Sequence, residues 1–189
     1  MSDDDMDHEY FESMYRNRPD PWDFDTSFYE RRKFDLTLAS LTRPRYRSAF
    51  EPGCSNGALT IRLAERTDHL TSCDIVDSVV DRARERVRHL DHVRVLGASF
   101  PEFWPDRESD LVVWSEIAYY LAEASLASAL HRLDEHLSTD GELVVVNYTG
   151  DTNYPRTADE VDAQIESYGS FARRASLRDE SFRLDVWRR

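Results

Sequence analysis

The chain has almost no lysine: Lys33 is the only one, and every other basic residue is an arginine. That is the pattern expected of a high-GC coding bias rather than of many separate functional choices. Cysteine is nearly absent too. Cys54 and Cys73 alone build neither a disulfide framework nor a four-ligand zinc site, and both thiols are expected to be reduced. The six histidines show no HxxxH or other paired metal spacing, so no metal is expected. No apolar run approaches the ~20 residues of a membrane helix, and mean hydropathy is −0.66. There is no internal repeat and no low-complexity tract. The start, Met1 to Asp7, is acidic and offers no basic or apolar leader. The expectation is a cytoplasmic chain without a signal peptide, frayed from Ser2 to Asp7. Positive charge is scarce: 24 basic against 37 acidic residues give −13. A surface this negative repels phosphate backbones, so nucleic acid is excluded as a nonspecific partner.

What is present is enough for a core. Apolar residues make up 40% of 189, consistent with one domain. Aromatics crowd the first thirty residues (Tyr10, Phe11, Tyr15, Trp22, Phe24, Phe28, Tyr29), broken by Pro19 and Pro21. Thr26 or Ser27 can cap a helix running to about Leu41, with Phe34, Leu38 and Leu41 on one face. From Ser48 the pattern alternates. Strands are expected at Ser48 to Cys54, Leu70 to Ile75, Val93 to Leu96, Leu111 to Trp114 and Leu143 to Val146. Helices fall between, at Ala58 to Arg66, at Asp77 or Ser78 to about Leu90, and along the stripe Leu126, Leu130, Leu133, Leu137, with Gly141 ending that unit. Such alternation implies an α/β, Rossmann-like fold with a mostly parallel sheet and helices on both faces. A helix at Thr157 to Tyr168 opens with a capping-box spacing, Thr157 and Glu160. Phe171 to Leu177 and Phe182 to Trp187 complete seven strands as an antiparallel C-terminal hairpin.

The chemistry points to Phe50-Glu51-Pro52-Gly53-Cys54-Ser55-Asn56-Gly57, where the first strand hands over to a helix. Ligands of doubly wound sheets bind at such strand ends, and Gly53 and Gly57 let backbone come close. The dinucleotide fingerprint GxGxxG is absent. Asp74 ends the second strand at about the ~20-residue distance of a ribose-binding acid, and a carboxylate can accept two bonds from a ribose diol.

These residues resemble motif I of the class I S-adenosylmethionine-dependent methyltransferases, with Ser55 where the middle glycine usually stands. Asp110-Leu-Val-Val-Trp-Ser-Glu-Ile resembles motif IV, which points to Ser115, Glu116 and Ile117. Two further blocks sharpen the resemblance. Pro19-Asp20-Pro21-Trp22-x-Phe24 through Tyr29-Glu30-x-Arg32-Lys33, and Glu116-Ile-Ala-Tyr119-Tyr120-Leu121, resemble the NodS-type methyltransferases, which methylate the nitrogen of a deacetylated amino-sugar oligosaccharide. The resemblance implies S-adenosylmethionine as cofactor and residues 48–189 as its binding core. It implies that Glu51, Gly53, Cys54, Ser55 and Gly57 hold the methionine part. Asp74 and Ile75 would hold the ribose, and Ala98 and Ser99 would flank the adenine. Ser115 would stand near the methyl group. Residues 1–47 would form a helical lid in which Trp22, Tyr29 and Arg32 fold over the cofactor, Arg32 near its carboxylate.

In-line methyl transfer needs alignment and a dry site more than it needs acid–base power. An amine acceptor must arrive neutral, and Glu116, Tyr119 or Tyr120 could orient it or take its proton. The acceptor site is expected between the lid, the 99–107 loop, the 115–121 segment and the 148–156 loop. Three readings stand: an N-methyltransferase of an amino sugar or small amine, an O-methyltransferase of a hydroxylated metabolite, and a regulatory domain that binds the cofactor without turnover.

Overall fold

A computed structural model describes residues 4–189. Its centre is a seven-stranded sheet in the order β3-β2-β1-β4-β5-β7-β6. The strands are β1 (Ala49–Pro52), β2 (Leu70–Asp74), β3 (Val93–Gly97), β4 (Ser109–Ser115), β5 (Leu137–Tyr148), β6 (Ala172–Arg178) and β7 (Phe182–Arg188). The first five run parallel. β7 pairs antiparallel with both β5 and β6. Strand order reverses between β1 and β4, and the crevice of an open α/β sheet lies at such a switch point.

Both faces are covered, as expected of a parallel sheet. Alternate residues of the continuous apolar runs go to opposite cores. Val112, Trp114, Leu143 and Val145 pack with Leu126, Leu130 and Leu133 of α5 (Glu123–His136) and Val161 of α6 (Ala158–Tyr168). Leu111, Val113, Val144 and Val146 pack instead with Phe34 of α2 (Phe28–Ser40) and Leu63 of α3 (Thr60–Ala64). α4 (Asp77–Val87) covers β3 through Val80, Ala83 and Val87. The predicted capping box of α6 is formed by Thr157 and Glu160, and Ser27 caps α2 through the amide of Glu30.

Several expectations need correction. The acidic start is not frayed where it is described: Met6 donates its amide to the Tyr120 carbonyl, and Asp5 accepts the Ala122 amide at 2.6 Å. Ser2 and Asp3 lie outside the described residues. The aromatic segment holds an unpredicted helix, α1 (His8–Asn17), capped by Asp7 and seated on Phe11 and Tyr15 at i, i+4 spacing. α4 is not capped by Asp77 or Ser78. Asp77 is its first helical residue, and Asp74 accepts the Val76 amide instead. Leu137 and Gly141 belong to β5, because Asp140 takes φ +62° and shifts the register inside that strand. β7 is an inner strand, so both its faces are covered. Trp187 is buried, and Asp185 is buried against Arg173 and Arg183.

Candidate functional site

At the carboxyl ends of β1, β2 and β4 lies a cavity of about 630 Å³, within the range of small-molecule sites. It is floored by the β1–α3 turn and roofed by α1, the 18–27 loop and α2.

The turn is held in a conformation that suits glycine. Gly53 takes φ +70° and Gly57 φ +77°. A Cβ on Gly53 would stand 2.7 Å from Ile117, and one on Gly57 3.1 Å from Ala83. Gly53 and Gly57 therefore serve different purposes. Gly53 faces the cavity, whereas Gly57 lies off it and lets the turn approach α4. Ser55 takes φ +47°, a left-handed position that favours glycine. Two bonds hold it there: its amide donates to Asp74 at 2.8 Å, and its hydroxyl shares a hydrogen bond with the Tyr15 hydroxyl at 2.6 Å. Tyr15 belongs to α1, so the turn is tied directly to the roof.

Three groups of carboxylates face this space. Asp74 accepts the amides of Ser55 and Val76, one on each oxygen. A carboxylate has about four lone-pair sites, so these bonds leave it capacity to accept from a diol. Burial pushes its carboxyl up, against those backbone bonds. Glu51 is buried and meets no cation among the described residues. It accepts hydroxyls from Thr60 at 2.7 Å and Ser72 at 2.8 Å, and burial pushes it up to about 7. Glu116, just past β4, takes φ +60°. One of its oxygens accepts the Tyr119 hydroxyl and, at 3.2 Å, the Tyr148 amide. The other stands 3.1 Å from the ammonium of Lys33, which also bridges Glu30 at 2.9 Å. Burial drives the phenols of Tyr119 and Tyr120 well up. They are donors here, able to orient a ligand and unsuited to take a proton.

Of the residues named from sequence, Trp22, Tyr29, Glu51, Gly53, Cys54 and Ser55 line the cavity. So do Asp74, Ile75, Ala98, Ser99, Ser115, Glu116, Tyr119 and Tyr120. Gly57 does not. Arg32 is also elsewhere: it points away on the outer side of α2 and pairs with Asp179 in the β6–β7 turn. One residue along a helix turns the side chain by about 100°, and the position that faces inward is Lys33. Lys33, Glu30, Tyr15, Asn56, Tyr148 and Tyr154 also line the cavity, and sequence reading did not single them out. The signal for Lys33 was its uniqueness in an arginine-rich chain. Tyr148, the last residue of β5, and Tyr154 fall in the 148–156 stretch expected to border the acceptor, but nothing in its pattern picks out either tyrosine.

A model of the family described as nodulation protein S (NodS) matches residues 4–151. The chain belongs to the NodS family. Nodulation protein S of Sinorhizobium fredii is 32% identical over 127 residues, 66% of this chain and 59% of that protein. The chain thus spans somewhat over half the length of that NodS relative. Among solved structures, a Pseudomonas syringae protein provisionally described as a methyltransferase is 41% identical, with a TM-score of 0.77 over 86% of this chain and 100% of that one. The N-methyltransferase NodS of Bradyrhizobium japonicum, in complex with S-adenosylhomocysteine, superposes with a TM-score of 0.84 over 93% of this chain and 96% of its own, at 24% identity. The architecture is that of the class I methyltransferases. No helix among the described residues is long and apolar enough to cross a membrane.

Proposed function

We propose that this NodS-family chain is an S-adenosylmethionine-dependent N-methyltransferase acting on an amino sugar or another small amine-bearing metabolite. The observation that carries the reading is one cavity with two chemically distinct walls. Glu51, Gly53, Ser55 and Asp74 come from the ends of β1 and β2, and Glu116 with Tyr119 and Tyr120 from the segment after β4.

The first wall fits the cofactor. The open lone pairs of Asp74 suit a ribose diol, Glu51 offers an uncompensated carboxyl to an ammonium, and the left-handed turn presents backbone at close range. Ile75, Ala98 and Ser99 flank the space beyond Asp74. When bound, S-adenosylmethionine supplies an activated methyl group on a sulfonium. The protein's own residues do the rest. α1 and α2, with Trp22, Phe24 and Tyr29, roof the cavity as a lid that excludes water. Ser115 ends β4 next to Glu116 and lines the cavity. Glu116 accepts a hydrogen bond from the acceptor nitrogen and takes its proton, while the Tyr119 and Tyr120 phenols orient it. Asp5, Asp7 and Glu102 add negative charge to the cavity lining, which attracts an amine as a cation before it gives up its proton. The S-adenosylhomocysteine complex of the Bradyrhizobium NodS supports this choice of cofactor and of nitrogen.

The test is product formation from labelled S-adenosylmethionine on a panel of amino sugars, small amines and hydroxylated metabolites, with calorimetry for S-adenosylhomocysteine alongside. Methylated amines carry the proposal. Methylated hydroxyls alone move the reaction to oxygen. Binding without turnover on any member makes the chain a cofactor-binding module.

A further inference from the structure

Lys33 is buried, with 2% of its surface exposed. Its ammonium stands 2.9 and 3.0 Å from the two oxygens of Glu30 and 3.1 Å from Oε1 of Glu116, over the ring of Tyr29 at 5.0 Å. A buried ammonium is costly unless paired. Here one cation meets two carboxylates, and the cluster keeps one negative charge in excess. Glu116 is held from every side: its backbone in a left-handed conformation by a 2.8 Å bond to Val146, its second oxygen by Tyr119 and Tyr148. A strained, over-determined residue at a cavity wall is a mark of function.

We propose that Lys33 is a positioning residue for methyl transfer: its ammonium is the counter-charge that keeps Glu116 an ionised carboxylate aimed at the acceptor amine. This rests on reading Glu116 as the group that meets the acceptor. The titratable groups facing the pair are Glu30 and Tyr29 from α2, Asp20 from the loop before it, Tyr119 and Tyr120 from the turn after β4, Tyr148 from β5 and Asp179 from the hairpin turn. None of these is a cation. Without Lys33, Glu30 and Glu116 become neighbouring carboxylates that share a proton. A protonated Glu116 can no longer take the proton of an arriving ammonium.

The experiment measures kcat/KM against pH for wild type, Lys33→Met and Lys33→Arg, using a chito-oligosaccharide with one free amino group. Calorimetry with S-adenosylhomocysteine establishes that each variant is folded. The acid limb should move up by about 1 pH unit or more in Lys33→Met and stay in place in Lys33→Arg. A Lys33→Met profile that superimposes on wild type after scaling would overturn the proposal, as would an equal displacement in both variants. A second arm needs neither acceptor nor a lysine variant. Because the chain has one lysine, lysine labelled with ¹³C at Cε gives a single side-chain resonance. That resonance should move in Glu116→Gln and should titrate with a carboxylate in wild type. A resonance indifferent to both changes sinks the proposal even if Lys33→Met fails to fold. If wild type binds S-adenosylhomocysteine but leaves the oligosaccharide untouched, the acceptor class is wrong, and the resonance still decides the role of Lys33.

Discussion

Two buried glutamates, Glu142 on β5 and Glu51 on β1, meet different partners. Glu142, near the start of the main run of β5, is met by Arg188 at 2.8 Å and by the hydroxyls of Thr42 and Tyr46. Burial pushes its carboxyl up, but those three partners together outweigh burial and hold it below the usual range. Glu51 has hydroxyl partners and no cation among the described residues, and burial carries it up to about 7. The shifts run in opposite directions because the hydroxyls of Thr42 and Tyr46, joined by Arg188, outweigh the burial of Glu142, whereas Thr60 and Ser72 do not offset that of Glu51. Where the fold needs a fixed joint between the 41–46 segment and the last strand, the counter-ion is built in. At Glu51, on the candidate site, no counter-ion is built in among the described residues.

The largest effect expected is at the joint. Glu142→Ala leaves Arg188 and Tyr46 without their acceptor and should cost about 3 kcal/mol, read as a lower urea midpoint. Binding of S-adenosylhomocysteine should survive wherever the variant is folded. Equal stability would mean that the joint is ornamental.

Close behind comes Asp74→Ala. Losing a carboxylate that serves a diol should weaken S-adenosylhomocysteine by about 100-fold in calorimetry, from two charged hydrogen bonds at roughly 1.5 kcal/mol each. An unchanged affinity removes Asp74 from the cofactor wall.

The contrast itself is testable by pH. Glu51 rises from 4.5 to about 7 on folding, so between those values the folded state holds a proton that the unfolded chain has released. Its contribution to stability is present below 4.5 and is lost as pH rises toward 7. Glu142 has the opposite sign: its contribution is present above 4.5 and is lost as pH falls through its depressed value. Melting temperature against pH should therefore flatten on the neutral side in Glu51→Gln and on the acid side in Glu142→Gln. Ligand binding adds a second readout. If an ammonium of the cofactor meets Glu51, affinity for S-adenosylhomocysteine should drop by up to about tenfold per pH unit below 7, and Glu51→Gln should abolish that slope. A wild-type affinity flat from pH 5.5 to 8 separates Glu51 from the ligand.

The smallest effect concerns the tie between roof and turn. Tyr15→Phe removes its bond to Ser55 and should cost about 1 kcal/mol. Ser55→Gly loses the same bond but relieves a left-handed serine, so its stability should lie close to wild type. If Ser55→Gly costs more than Tyr15→Phe, the hydroxyl has a further partner.

Much of the site was legible before any coordinates. Gly53, an acid at the end of the second strand and an acid just after the fourth all stand at strand ends, and strand ends of a doubly wound sheet converge on one crevice. The misreadings share a cause. Arg32 and Lys33 are adjacent basic residues on one helix, and local pattern cannot say which of them turns inward. That depends on how α2 lies over the β4 end. Gly57 looked like a ligand glycine because spacing does not reveal that α4 passes behind it. α1 was missed because its apolar stripe is short, and its helical state draws on contacts with Tyr120 and Ser55 far along the chain.

Alternation of buried strands with amphipathic helices, a property of nearest neighbours, was enough to set the α/β class, the parallel core and the antiparallel hairpin. Charge states and partners were not. Which glutamate finds an arginine, which finds the single lysine and which finds neither is a matter of distances between segments far apart in the chain. Electrostatic energy in a dry interior depends on those distances, so only the tertiary arrangement could decide it.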